Sequence, residues 1–176
     1  MRLLASKKIP AACVAVALLA APVAALSPQT DARAGIAAFA DNCFSPFLTA
    51  EKVAEAFNFA NIRHDFYDLD PFSSAAPSPA TARAATPGTD RRCEVSFSGD
   101  FTFDATIAVT DRLSREGITA PADVPDTHET LRTDGTVLLA ARRLNPTKIA
   151  VVHVGTRPHT NGIETFLNVE RLRSPK

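Results

Sequence analysis

In the run Arg91-Arg92-Cys93-Glu94-Val95-Ser96-Phe97-Ser98-Gly99-Asp100, the apolar residues Cys93, Val95 and Phe97 alternate with the polar residues Glu94, Ser96 and Ser98. Alternation at period 2 marks a half-buried strand over 92–99, one face toward a core and the other toward water. Two helical segments and a loop-like tract precede it; a helix and three strand-like runs follow. Both halves of the chain must therefore meet on its apolar face, where one of the residues is a cysteine.

Downstream, Gly99-Asp100 turns the chain, and Asp100 or Thr102 can cap a helix reaching to about Glu116. Phe103, Ile107, Thr110 and Leu113 fall on one face of that helix, and Gly117 ends it. The turn lacks the Gly-x-Gly-x-x-Gly and P-loop patterns, so neither a dinucleotide nor a nucleotide phosphate site is supported. Residues 119–134, with Pro121 and Pro125, read as an irregular connection carrying His128 and Glu129. Residues 136–143, 148–154 and 163–172 are rich in Val, Ile, Leu, Phe and Thr and read as three antiparallel strands in a meander. In the last of them Ile163, Thr165, Leu167 and Val169 share a face and Glu164, Asn168 and Glu170 lie opposite, as in a sheet covered on one side.

Upstream, Ile36, Phe39, Ala40 and Cys43 fall at i, i+3, i+4 and i+7, a helical stripe over 30–43 with Thr30 as cap and Asp31 in the first turn. Pro46 separates it from a second helix capped by Thr49, in which Val53, Ala56 and Phe57 face inward. Residues 58–72 contain His64-Asp65-Phe66-Tyr67-Asp68-Leu69-Asp70, the densest polar cluster in the chain. His64, Asp65 and Asp68 are candidates for a general acid and base or for metal ligands. The spacing matches no metal signature, however, and favours a short edge strand or turn with Phe66 and Leu69 inward. Residues 73–90 hold Pro77, Pro79 and Pro87 among Ala, Ser and Thr and carry no large apolar side chain, which predicts a flexible loop inside one domain.

The N-terminus reads as a secretory signal peptide over 1–25: Arg2, Lys7 and Lys8 precede an apolar run from Ala11 to Ala25, and Val23-Ala24-Ala25 supplies a small-residue cut site. The run is shorter than the roughly 18 to 20 residues that span a bilayer, and Pro10 and Pro22 interrupt its ends, which argues against a membrane anchor. Pro10-Ala11-Ala12, ahead of Cys13, lies at the start of the hydrophobic stretch rather than at its end, so Cys13 does not fit a lipoprotein signal. Residues 26–176 then form one domain. The whole chain balances 19 Lys and Arg against 19 Asp and Glu, and the peptide removes three bases and no acid, leaving a slightly acidic protein with no basic face for nucleic acid or anionic lipid. Cys43 and Cys93 remain. An even count in an exported chain reads as a disulfide, with free thiols or a metal half-site as the alternatives, and closing that loop should stabilise the fold by about 4 kcal/mol.

A second candidate site is the glycine-bracketed loop 155–162, where Arg157 and His159 can face an anionic ligand or simply decorate a turn stiffened by Pro158. His153, inside a strand, reads as a satisfied sheet histidine. Serine, histidine and aspartate all occur, but without a Gly-x-Ser-x-Gly elbow. No cofactor or metal site is indicated.

The Asn42-Cys43 and Cys93-Glu94-Val95-Ser96-Phe97 neighbourhoods, with the helix and meander after them, resemble small exported Gram-negative bacterial proteins of no assigned activity over about half of the mature chain. That resemblance implies compartment and fold and carries over no catalytic residue. The expectation is an α+β domain with two or three helices on one face of a four-stranded, mostly antiparallel sheet, in the order ααβαβββ. The expected function is a periplasmic binding or interaction module for an envelope protein or small ligand. The alternatives are a small envelope hydrolase built on His64, Asp65 and Asp68, and a purely structural envelope component.

Overall fold

The computed structural model describes residues 28–59, 61–160 and 162–173. The signal-peptide reading and its cut before Leu26 lie outside them. The chain forms α1 (Pro28–Asn42), α2 (Ala50–Ala56), β1 (Arg63–Asp68), β2 (Thr89–Ser98), α3 (Thr102–Arg115), β3 (Pro121–Ala122), α4 (Asp126–Glu129), β4 (Thr136–Asn145), β5 (Lys148–His159) and β6 (Gly162–Arg173). One antiparallel sheet runs in the order β1-β2-β6-β5-β4-β3.

The fold class is α+β, but the sheet has six strands rather than four, and the order is ααββαβαβββ rather than ααβαβββ. The two additional strands are the edges. In β1 only Phe66 and Tyr67 are large apolar residues among charges, so hydrophobic alternation is hidden there, yet the backbone pairs with β2 along its whole length. β3 is two residues long and begins on a proline, which an edge tolerates because one side of the strand needs no partner.

β2 is the second strand from the β1 edge, bonded to β1 on one side and β6 on the other. Its Cys93, Val95 and Phe97 share a core with Val152 and Val154 of β5 and Leu167 and Val169 of β6, covered by α1 and α3. At Gly35 of α1 a β-carbon would lie 2.7 Å from the Phe97 ring, so the helix can approach β2 this closely only without a side chain there. Cys43, just past α1, is bonded to Cys93 of β2 as a disulfide with α-carbons 5.5 Å apart, inside the range that bridges accept.

The phase of α3 differs from the sequence reading. Thr102, Ala105, Val109 and Leu113 are buried, while Phe103 and Ile107 face outward. The helix start sets that phase. The Phe101 amide donates to Thr165 Oγ1 at 2.8 Å, that hydroxyl donates to the Gly99 carbonyl at 2.7 Å, and Asp100 accepts from the Thr102 amide and hydroxyl. Tethered to β6 in this way, the helix turns small Ala105 toward the sheet. Phe103→Ser, at a position 75% exposed, is accordingly expected to change stability by no more than about 0.5 kcal/mol. Val109→Ala should cost about 1.5 kcal/mol through lost burial. Urea unfolding of the two variants checks the difference.

The second sheet face is covered as well, contrary to the one-sided expectation. Glu164, Asn168 and Glu170 of β6 and Arg92, Glu94 and Ser96 of β2 are all buried. Residues 83–86 and α4 bond to this face, and a small apolar cluster of Ala141, Ile149, Val151 and Leu172 occupies its other half. The stretch 155–162 is not mainly loop: β5 runs on to His159, β6 restarts at Gly162, and the two pair to the end of the hairpin.

Candidate functional site

The register of the sheet places Tyr67, Arg92, Glu170 and Val151 side by side in one row, Asp65, Glu94, Asn168 and His153 in the next, and Arg63, Ser96, Phe166 and Gly155 in a third. Because strand side chains alternate, all three rows project from the face away from α1 and α3. Arg92, 1% exposed, is the hub: Nε donates to Glu170 at 2.6 Å, Nη1 to Asp65 at 3.1 Å, and Nη2 to Thr86 at 2.9 Å and the Ala84 carbonyl at 3.2 Å. Its guanidinium stacks on Tyr67 at 5.1 Å. Glu170 also accepts from the Thr89 hydroxyl at 2.9 Å and meets His128 Nε2 at 2.9 Å. Burial alone would raise the Glu170 carboxyl, but the bond to His128, the charge and hydrogen bond of Arg92 and the bond from Thr89 outweigh it and hold the group well below the usual carboxylate range. Burial pushes the Tyr67 phenol up to about 12, with Arg92 opposing, so it stays neutral.

β1 divides the polar cluster that the sequence offered. Asp65 sits on the Arg92 face and pairs with Arg92 and Arg83. His64 and Asp68 sit on the other. His64 lies exposed against Phe57 with ring centroids 5.7 Å apart, and buried Asp68 pairs with Arg91 and Arg171. As β1 is an edge strand, His64 and Asp65 both border a shallow cleft of about 220 Å³ that also takes in Arg63, Arg83, Glu94 and Arg157. Asp68 lies outside it. Arg157 and His159 come together on buried Glu164: Arg157 Nε donates to it at 2.6 Å, His159 Nδ1 approaches at 3.5 Å, and Arg63 donates to the same carboxylate. Arg157 further pairs with Glu94 at 2.8 Å and stacks on Phe166. Arg157, His159 and Arg63 are thus engaged by the protein's own carboxylates. His153 is buried, bonded to Thr136 Oγ1 at 2.9 Å and edge-on to Phe166, and burial brings its imidazole down to about 4, neutral near pH 7. Among the described residues no His, Cys, Asp and Glu group of three or more is arranged to hold a metal ion.

A larger concavity lies at the opposite end of β2, on the helix side. It encloses about 570 Å³ between the α1–α2 connection, the segment after β1, the β4–β5 turn and the end of β6. Its apolar walls come from Phe44, Pro46, Phe72, Ile118, Leu144 and Val169, and Cys43 of the disulfide lines it too. Phe72, 71% exposed, packs edge-on against Phe47 at 5.5 Å and extends the apolar rim.

Arg91, Lys148 and Arg171 make its polar floor. Lys148 Nζ donates to Asp70 at 2.7 Å and Asp90 at 2.6 Å, and Arg171 donates to Asp68 at 2.8 Å and to Asp90. Arg91 is less completely satisfied. Nη2 reaches the Ser45 carbonyl at 2.7 Å and Nη1 stands 3.5 Å from Asp68, but Nε is buried without an acceptor. A buried donor left unmet costs about 1–3 kcal/mol or more. Burial lowers the Arg91 guanidinium to about 10, Asp68 opposing and Arg171 adding to the fall, so it is still charged near neutrality.

Sequence reasoning missed both centres. Arg92, Glu170 and His128 were hidden because charges on the far side of a strand ordinarily meet water. For the cleft one signal was present: Arg91 shares the parity of Cys93, Val95 and Phe97, a cation at an apolar-face position. Comparison of the chain with protein-family models, curated proteins and solved structures finds no match.

Proposed function

We propose that the chain is a binding module of an exported protein, holding a small amphipathic ligand in the cleft between Phe44, Phe72 and Leu144. The observation that carries this reading is a concavity whose apolar walls end on a buried, incompletely bonded Arg91. Its volume falls in the roughly 300–1,000 Å³ range of small-molecule sites, which combine apolar linings with a few placed polar groups. A catalytic reading through His64, Asp65 and Asp68 has less support, because Asp68 is engaged by Arg91 and Arg171 and Asp65 by Arg92.

Export belongs to the same proposal. The basic and apolar N-terminus supports it, as does the Cys43–Cys93 bond, since disulfides persist in oxidising compartments. Among the described residues no helix is long and apolar enough to cross a membrane.

Titration with an environment-sensitive anilinonaphthalene dye tests the cleft. Saturable one-to-one binding is expected, weakened at least tenfold by Phe72→Asp, which removes apolar contact and places a charge in the wall. Phe103→Asp on the outer side of α3 should leave it unchanged. Equal binding by both variants would place the dye elsewhere and remove the support for this reading.

A further inference from the structure

We propose that the ligand of this cleft is a single-chain amphiphile with a carboxylate head, the head seated on Arg91 and the chain lying along Phe44, Ile118, Leu144 and Phe72. The inference rests on the binding reading and specifies its chemistry. The three cations of the floor meet three carboxylates, of which only Asp70 lines the cavity, and the network is not fully satisfied: Arg91 Nε lacks an acceptor, and Asp68 Oδ2, 3.5 Å from Arg91 Nη1 and outside the cavity lining, lacks a donor. Lys148 and Arg171 each bridge two carboxylates, and Asp68, Asp70 and Asp90 each accept from at least one of these two cations. The bond still missing on a residue that lines the cavity is a donor, Arg91 Nε, which selects a ligand that supplies an acceptor.

A carboxylate answers this donor with a charge-assisted bond, roughly twice as strong as the neutral bond to an alcohol or ester oxygen. An ammonium head has no acceptor to give and would meet a buried guanidinium. A doubly charged head fits less well than a single charge, because Lys148 and Arg171 are already matched by Asp70, Asp90 and Asp68. The remaining lining is mostly apolar, with Asp70, Glu116 and Asn145 as its other polar members, and continues to the exposed Phe47–Phe72 pair, so the tail of the ligand has a path from the buried floor to the rim.

Calorimetric titration of the unaltered mature protein with dodecanoate, dodecanol and dodecylammonium near neutral pH tests the assignment without depending on a variant that must fold. Dodecanoate is expected to bind at least tenfold tighter than dodecanol, with dodecylammonium weakest. Arg91→Gln, verified as folded by circular dichroism, should reduce the preference for dodecanoate over dodecanol to less than threefold. Equal affinities for the three heads, or tightest binding of the ammonium, with all three lost in Phe72→Asp, would overturn the carboxylate assignment and leave the cleft as the binding site. Absence of saturable binding by any of the three, together with a dye response that Phe72→Asp does not change, would overturn both.

Discussion

Glu170→Gln lowers the unfolding free energy by about 3–5 kcal/mol, because it leaves the charge of Arg92 buried without its closest counter-ion. Denaturant unfolding measures the loss directly as a shift in midpoint at unchanged slope. Replacing both partners together, as Arg92→Met with Glu170→Leu, should recover much of it, since removing a buried pair is far less costly than breaking one. The pH dependence carries the same signature. Glu170 is held below its unfolded value of 4.5, so its contribution to stability is fully present above about pH 4.5 and is lost as the pH falls through the acid range toward its folded value. The acid limb of the stability curve should therefore be steep in the unaltered protein and flatter in Glu170→Gln. A loss below about 1 kcal/mol would mean that the Arg92 charge finds equal compensation from Asp65 and the Ala84 carbonyl.

Removing the disulfide by Cys43→Ala with Cys93→Ala costs about 2–5 kcal/mol, the bond closing a sequence separation of 50 residues. The consequence is local as well as global. Cys43 lines the cleft and is followed by Phe44, so freeing the end of α1 should also weaken dye binding there. Thiol titration of an unfolded, unreduced chain beginning at Leu26 should find no free thiol, and two after reduction. Two thiols before reduction would show that the pair does not form in solution, and the cleft would lose the covalent anchor of one wall.

Much of the helix-side core was legible because burial there is apolar and periodic. Cys93, Val95 and Phe97 on β2, Ile36 and Phe39 on α1, and Leu167 and Val169 on β6 lie in the one core that their alternation or helical spacing implies. The disulfide was legible for a different reason, that two cysteines remain after the N-terminal segment and both fall on core-facing positions. The phase of α3 was not. Phe103 and Ile107 form as good a helical stripe as Ala105 and Val109, and the bonds that Thr165 donates to the Gly99 carbonyl and accepts from the Phe101 amide decide between them across more than sixty residues of chain. The candidate sites were legible in part: Arg157 and His159 do converge, but on the protein's own Glu164.

From local pattern alone came the α+β class, the positions of β2, α3 and the three-strand meander, and the pairing of Cys43 with Cys93, because hydrophobic period and residue parity are properties of the chain itself. The tertiary structure decided between the short edge strand and the turn left open for β1, and it decided β3, the covering of the second face and the cleft at Arg91. Each depends on which distant groups become partners. Arg92 is buried because Glu170, Asp65 and the Ala84 carbonyl meet it there, and Arg91 lines a cavity that the disulfide-bonded Cys43 and its neighbour Phe44 also line, whereas a charged residue read along the chain carries no mark of whether water or a counter-ion will face it.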